Sequence, residues 1–132
     1  MIKEINYINK NELEEIYIHD TFFKEINIDY NNKVLYIMVL EDDTKRCCKL
    51  IFENVVRFDL FKLSLWGKTN NQILDMYLDD FDIMQYINQK CNKNQIKNVI
   101  QNVDKLFSIE ILIDNGDKIG ITCNKITFIN QV

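Results

Sequence analysis

Between Phe22 and Tyr30 the side chains alternate with period two. Phe22, Ile26, Ile28 and Tyr30 fall on one side, and Phe23, Glu25, Asn27 and Asp29 on the other, as in a half-buried strand. After Asn31-Asn32 comes "VLYIMVL", apolar at both parities. Asparagine tolerates the positive φ of a two-residue turn, so the runs predict a hairpin whose second strand is central and covered on both faces. "RCCKLIFE" sets Cys48, Leu50 and Phe52 against a charged side. In "VVRFDLFKLSLW" the apolar residues fall on both parities, which predicts a bulge or bend. Gly67 and "KTNN" read as a loop. "QILDMYL" aligns Leu74, Met76 and Leu78, and its pattern leaves helix and strand open. "LFSIEILI" and "KIGITCNKITFI" flank Asp114-Asn115-Gly116-Asp117, and Asn-Gly is the strongest short hairpin signal.

Helical periodicity is confined to three places. Asn11 stands as cap before "ELEEIYI", with Glu14 at the spacing of a capping box. Asp82 opens "DIMQYINQK" as its cap, and the segment turns Ile83, Tyr86 and Ile87 inward. Ile96, Val99, Ile100 and Val103 recur at i, i+3, i+4, i+7 behind Asn94, the mark of an amphipathic helix. These helices do not alternate with the strands, so a doubly wound fold is disfavoured. The sum predicts an α+β protein: a mostly antiparallel, strongly bent sheet or partial barrel of about seven strands, with a short N-terminal helix and a helical insertion before the last hairpin. Without a linker, repeat or low-complexity block, residues 1–132 read as one domain, a length that buries roughly two thirds of the extended chain's surface.

The net charge is −4, and the two arginines, Arg46 and Arg57, lie outside any basic run. That argues against nucleic acid, which needs clustered, uncompensated Lys and Arg. "MIKEINYINKNELEE" carries no apolar h-region, and no run approaches the roughly 20 apolar residues of a membrane span. The four cysteines, Cys47, Cys48, Cys91 and Cys123, show no C-x-x-C spacing. They read as reduced thiols of a cytoplasmic protein, with no metal or cofactor expected. Cys47 and Cys48 would point to opposite faces of a strand, which disfavours a disulfide between them.

Candidate chemistry gathers in few places. "YIHDTFF" holds the single histidine, His19, beside Asp20. A hydrolase could use His19 as a base with a distant carboxylate. Asp20 is a poor orienter, however, because neighbours on an extended chain point apart, and no nucleophile motif accompanies it. Local hydrogen bonds at a strand entrance account for His19, Asp20 and Thr21 more simply. "LDMYLDDFD" carries Asp75, Asp79, Asp80 and Asp82, without the glycine and closing glutamate of an EF-hand. With Glu41, Asp42 and Asp43 they suggest an acidic surface that steers a basic protein partner. Trp66 beside Gly67 could anchor an interface or cover a sheet end.

"IHDTFFKEINIDYNNKVLYIMV", "LIFENVVRF" and "IEILIDNGDKIGITCNKI" together resemble a loose class of small bacterial proteins with an H-D-S/T opening before a hairpin. Some of that class resemble immunity proteins that neutralise toxins of neighbouring strains. Thr21 stands where serine is commoner, and the Asn-rich helical insertion departs from the pattern. The resemblance implies a compact cytosolic β-rich domain and brings no catalytic residue. The expectation is therefore a non-enzymatic protein-binding module, of immunity type, acting through an acidic surface. A small hydrolase built on His19 and a subunit that self-assembles through a sheet edge are the rivals.

Overall fold

A computed structural model of the chain describes residues 2–41, 46–61, 71–90, 92, 94 and 103–130. Among the described residues nine strands occur: β1 (Ile2–Asn6), β2 (Phe22–Asp29), β3 (Val34–Leu40), β4 (Cys47–Glu53), β5 (Arg57–Phe61), β6 (Ile73–Asp79), β7 (Phe107–Ile113), β8 (Lys118–Cys123) and β9 (Lys125–Asn130). They form a five-stranded sheet, β1-β9-β4-β3-β2, and a four-stranded sheet, β5-β8-β7-β6. Every strand pair is antiparallel. A 3-10 helix, Lys10–Glu15, follows β1, an α-helix, α1 (Ile83–Lys90), follows β6, and a second 3-10 helix, Val103–Lys105, precedes β7.

This architecture corrects the α+β expectation. The protein is nearly all-β, its sheets do not close into a barrel, and the helical elements with described bounds are short. The helix expected over Asn94–Val103 lies largely outside the described residues. Two strands went uncounted. β1 alternates weakly because only Ile5 is fully buried in it. Lys3, on the same side, is neutralised by Glu12 at 2.6 Å and Glu15 at 3.0 Å. The run "KIGITCNKITFI" is two strands, because the chain passes from one sheet to the other at Asn124. The neighbouring crossing, from β4 to β5, turns at Asn54 with φ 52°. The two crossings are tied by Val56 N–H to Thr122 O, 2.9 Å, and Asn124 N–H to Glu53 O, 3.2 Å. One antiparallel ribbon thus folds between two sheets at a corner. It lies at the start of the run expected to bend; β5 within that run pairs in regular register, and residues 62–66 lie outside the described residues.

Local structure differs from the expectation in four further places. A bulge between Phe23 and Glu25 turns Phe23 and Ile26 together toward the core. β3 buries Leu35, Ile37 and Val39, while its other face stays half exposed, so it is covered on one side only. The hairpin between β2 and β3 takes its positive φ at Lys33 rather than at Asn31 or Asn32. Between β7 and β8, Gly116 does adopt φ 94°, and its N–H donates to Ile113 O at 2.9 Å. The 3-10 helix is capped at Asn9, not Asn11, and without a side-chain bond.

Between the sheets lies one apolar layer. Ile37, Leu50, Phe52 and Ile126 meet Ile109, Ile111, Ile119 and Ile121, all essentially sealed from water. Each such side chain contributes about 1.5–3 kcal/mol by burial. Cys48 and Cys123 belong to this layer as small apolar residues. Among the described residues no helix is long and apolar enough to cross a membrane.

Candidate functional site

The segment around His19 is shaped by how the chain meets β6. Asp20 N–H donates to Ile73 O at 2.8 Å, Ile73 N–H to Thr21 O at 2.8 Å, and Phe23 N–H to Asn71 O at 2.9 Å. Residues 20–23 thus pair with the start of β6 on the side away from β7. The Thr21 hydroxyl closes a tight turn by donating to Ile18 O at 2.6 Å. Asp20 has φ 67°, a left-handed conformation that aspartate tolerates better than most residues. That kink peels the preceding residues off the β6 edge. It also removes the reason for discounting Asp20: the chain is not extended here, and His19 Nδ1 lies 3.0 Å from Asp20 Oδ2.

Where the chain has peeled away, a groove of about 610 Å³ opens. Four consecutive β6 residues, Asp75–Leu78, line one wall. Consecutive residues face both ways from a sheet, so the groove follows the strand edge rather than one face. The opposite wall comes from the 3-10 helix and from Ile16–His19. Buried Leu13, Ile16 and Met76 give it an apolar floor, and exposed Glu14, Tyr17, His19 and Asp75 form its rim. His19 and the acidic stretch therefore meet at Asp75. The groove walls carry no serine, threonine or cysteine among the described residues, so no side-chain nucleophile of those three types stands in the groove beside the His19–Asp20 pair.

The outer face of the four-stranded sheet holds a polar layer that the sequence reading overlooked. Arg57 pairs with Thr122, and Thr122 with Ser108. In each strand the polar residues share one parity while the other parity enters the core. Arg57 is 4 % exposed. Its Nε–H donates to Thr122 Oγ1 at 2.9 Å, and its Nη1 to Asp59 Oδ2 at 2.9 Å. Its guanidinium lies 3.7 Å from the Phe81 ring centroid, a cation–π arrangement. Nη2 is buried and finds no hydrogen-bond partner among the described residues. On the same face Tyr77 donates to Glu110. That carboxylate, with burial and the charges of Asp79 and Asp75, pushes the Tyr77 phenol up to about 12. The missed signal was the parity itself: Arg57/Asp59, Ser108/Glu110 and Tyr77/Asp79 each lie two residues apart on a strand.

Asp75 and Asp79 share this outer face of β6, paired with Leu112 and Ser108. Asp80 is exposed just beyond the strand, and Asp82 caps α1 by accepting Gln85 N–H at 3.0 Å. Five acids are matched by cations: Glu12 and Glu15 by Lys3, Glu4 and Glu53 by Lys125, Asp59 by Arg57. Glu14, Asp75, Asp79 and Asp80 have no such partner among the described residues. Lys10 borders the same small hollow as Asp79 and Asp80, but its ammonium lies 4.0 Å above the Tyr7 ring. Glu41 stands after β3 in the other sheet, where Cys48 Sγ–H donates to it at 3.6 Å. Asp42, Asp43 and Trp66 lie outside the described residues. Among those described, no three acidic, histidine or cysteine side chains gather as a metal ion requires.

Comparison with protein-family models and with curated proteins gives no match. The geometry of the groove and the charges around it are therefore what bears on function.

Proposed function

We propose that the protein is a non-enzymatic binding module whose β6 side receives a basic partner protein. The observation that supports this reading is the gathering of carboxylates without a cation along β6 and the groove beside it. Five described acids are paired with lysine or arginine, whereas Glu14, Asp75, Asp79 and Asp80 stand without a cation close together along one groove and the strand beside it. Charges of one sign left uncompensated beside an apolar floor steer an oppositely charged partner and favour its encounter. Exposed Tyr17 on the rim adds the kind of aromatic anchor that interfaces favour. The resemblance carried by the hairpin motifs gives the narrower form of the proposal, a cytoplasmic inhibitor of immunity type that covers a basic toxin.

The experiment compares capture from lysate by the native protein and by an Asp75→Lys/Asp79→Lys/Asp80→Lys variant of matched circular dichroism. A stoichiometric basic protein retained by the first, lost by the second and released by salt supports the reading. Capture that survives both charge reversal and high salt refutes it, because exposed charges are screened beyond about 10 Å at 0.1 M.

A further inference from the structure

The geometry points to strand addition as the way the partner is held: an extended segment of alternating basic and apolar residues pairs with the free edge of β6. This inference rests on the acidic-surface reading above and adds its mode of contact. The edge is open for a specific reason. Residues 20–23 already pair with the start of β6, through Phe22 and Gln72 and the bonds at Ile73. The left-handed turn at Asp20 then leads the chain off that edge. Among the described residues the sheet order gives β6 a strand neighbour only in β7. From Asp75 to Leu78, about 10 Å at the rise of a strand, the edge faces the groove instead. An incoming strand would continue a line of pairing that the protein itself begins. Main-chain bonds along such an edge supply affinity, and alternate side chains supply selectivity.

The two faces of β6 state what those side chains must be. Asp75, Tyr77 and Asp79 point to the polar outer face, and Met76 and Leu78 point to the apolar side with Leu13 and Ile16. A strand laid beside β6 therefore meets Asp75 and Asp79, with Tyr77 between them, on one face and hydrocarbon on the other. A second copy of this chain is a poor occupant. Antiparallel pairing of β6 with itself about Tyr77 would set Asp75 against Asp79, and like charges directly opposite are destabilising. The carboxylates thus protect the edge from self-pairing while admitting lysine or arginine.

The test uses the whole protein with three blocked, fluorescent peptides: alternating lysine and valine, the same composition with lysines and valines segregated, and alternating glutamate and valine. Affinity is read by anisotropy, and backbone exchange at Asp75–Asp79 by NMR. Expected are protection of those amides by the alternating lysine peptide and binding about tenfold tighter than for the segregated one, the size of a few cross-strand pairs. Asp75→Lys/Asp79→Lys should transfer the preference to the glutamate peptide, a gain that a misfolded variant could not show. Equal binding of both lysine peptides without amide protection overturns strand addition and leaves the acidic surface standing. Binding by neither lysine peptide overturns both. Protection along β1, β2 or β5 instead would place the partner on another edge and refute the assignment to β6.

Discussion

Gly120 lies beneath the Arg57 side chain, and replacing it with alanine gives a sharp test of the outer polar layer. A Cβ at this position would lie 2.9 Å from Arg57 Nη1, 3.0 Å from Nη2 and 3.3 Å from Cζ. The guanidinium is not free to move aside. Thr122 holds it at Nε, Asp59 at Nη1, and Phe81 closes over its plane. Forcing a methyl group into such a packed site costs about 1–3 kcal/mol. Against that, alanine recovers roughly 0.5–1 kcal/mol of the backbone entropy that glycine loses in a strand. The net expectation for Gly120→Ala is a loss of about 1–2 kcal/mol. With m near 2 kcal/mol/M, the urea midpoint followed by circular dichroism should fall by roughly 0.5–1 M. The decisive measurement repeats the change on an Arg57→Ala background, where the methyl group has room. There Gly120→Ala should be neutral or slightly stabilising. An equal loss in both backgrounds would refute the reasoning, because the crowding would then come from something other than Arg57.

Three more outcomes follow from the same contacts. In a spectrophotometric titration Tyr77 should stay protonated until about pH 12, whereas the unfolded chain's tyrosines ionise near 10. Since the folded value is the higher one, Tyr77's contribution is complete below about pH 10 and disappears as pH rises toward 12; Tyr77→Phe should abolish that slope. Burial pushes the Cys123 thiol up to about 12, so alkylation of Cys123, followed by mass spectrometry, should proceed only as fast as the protein unfolds. Fast labelling at neutral pH without unfolding would contradict its place in the core. Asp82→Ala should cost about 1 kcal/mol and speed exchange of the Gln85 amide, which loses its acceptor; unchanged exchange would remove Asp82 as the cap of α1.

What the sequence disclosed depended on whether parity was preserved. The inward residues of β4, Cys48, Leu50 and Phe52, read directly from alternation, and so did the Asn-Gly turn at Gly116. Parity broke wherever the backbone added a residue. The bulge between Ile73 and Asp75 leaves Leu74 exposed and turns Ile73 inward, so the set Leu74, Met76 and Leu78 had one wrong member. The passage through Asn124 changes sheets without a turn motif, so two strands looked like one. Asp82 with Ile87 marked α1 correctly, because capping and a short apolar face are local properties. The groove could not be read in this way. It exists because a single left-handed residue, Asp20, redirects the chain beside a strand more than fifty positions away in sequence. Arg57 shows the opposite limit: its charge suggested the surface, and only the facing rows of Thr122, Ser108 and Gly120 explain why it is buried.

β9 sits between β1 and β4, paired in full to both. During synthesis neither neighbour can find its partner until Lys125–Asn130 has been made. Until then β4 offers one side unpaired, next to the alternating core residues Cys48, Leu50 and Phe52. A sheet completed by its last strand depends on contacts distant in sequence, which slows folding. Meanwhile the open β4 edge is a template for association between nascent chains. The yield of folded protein should therefore be set by how quickly β9 docks, and chaperones that shield unpaired strands should matter most in the interval before it does.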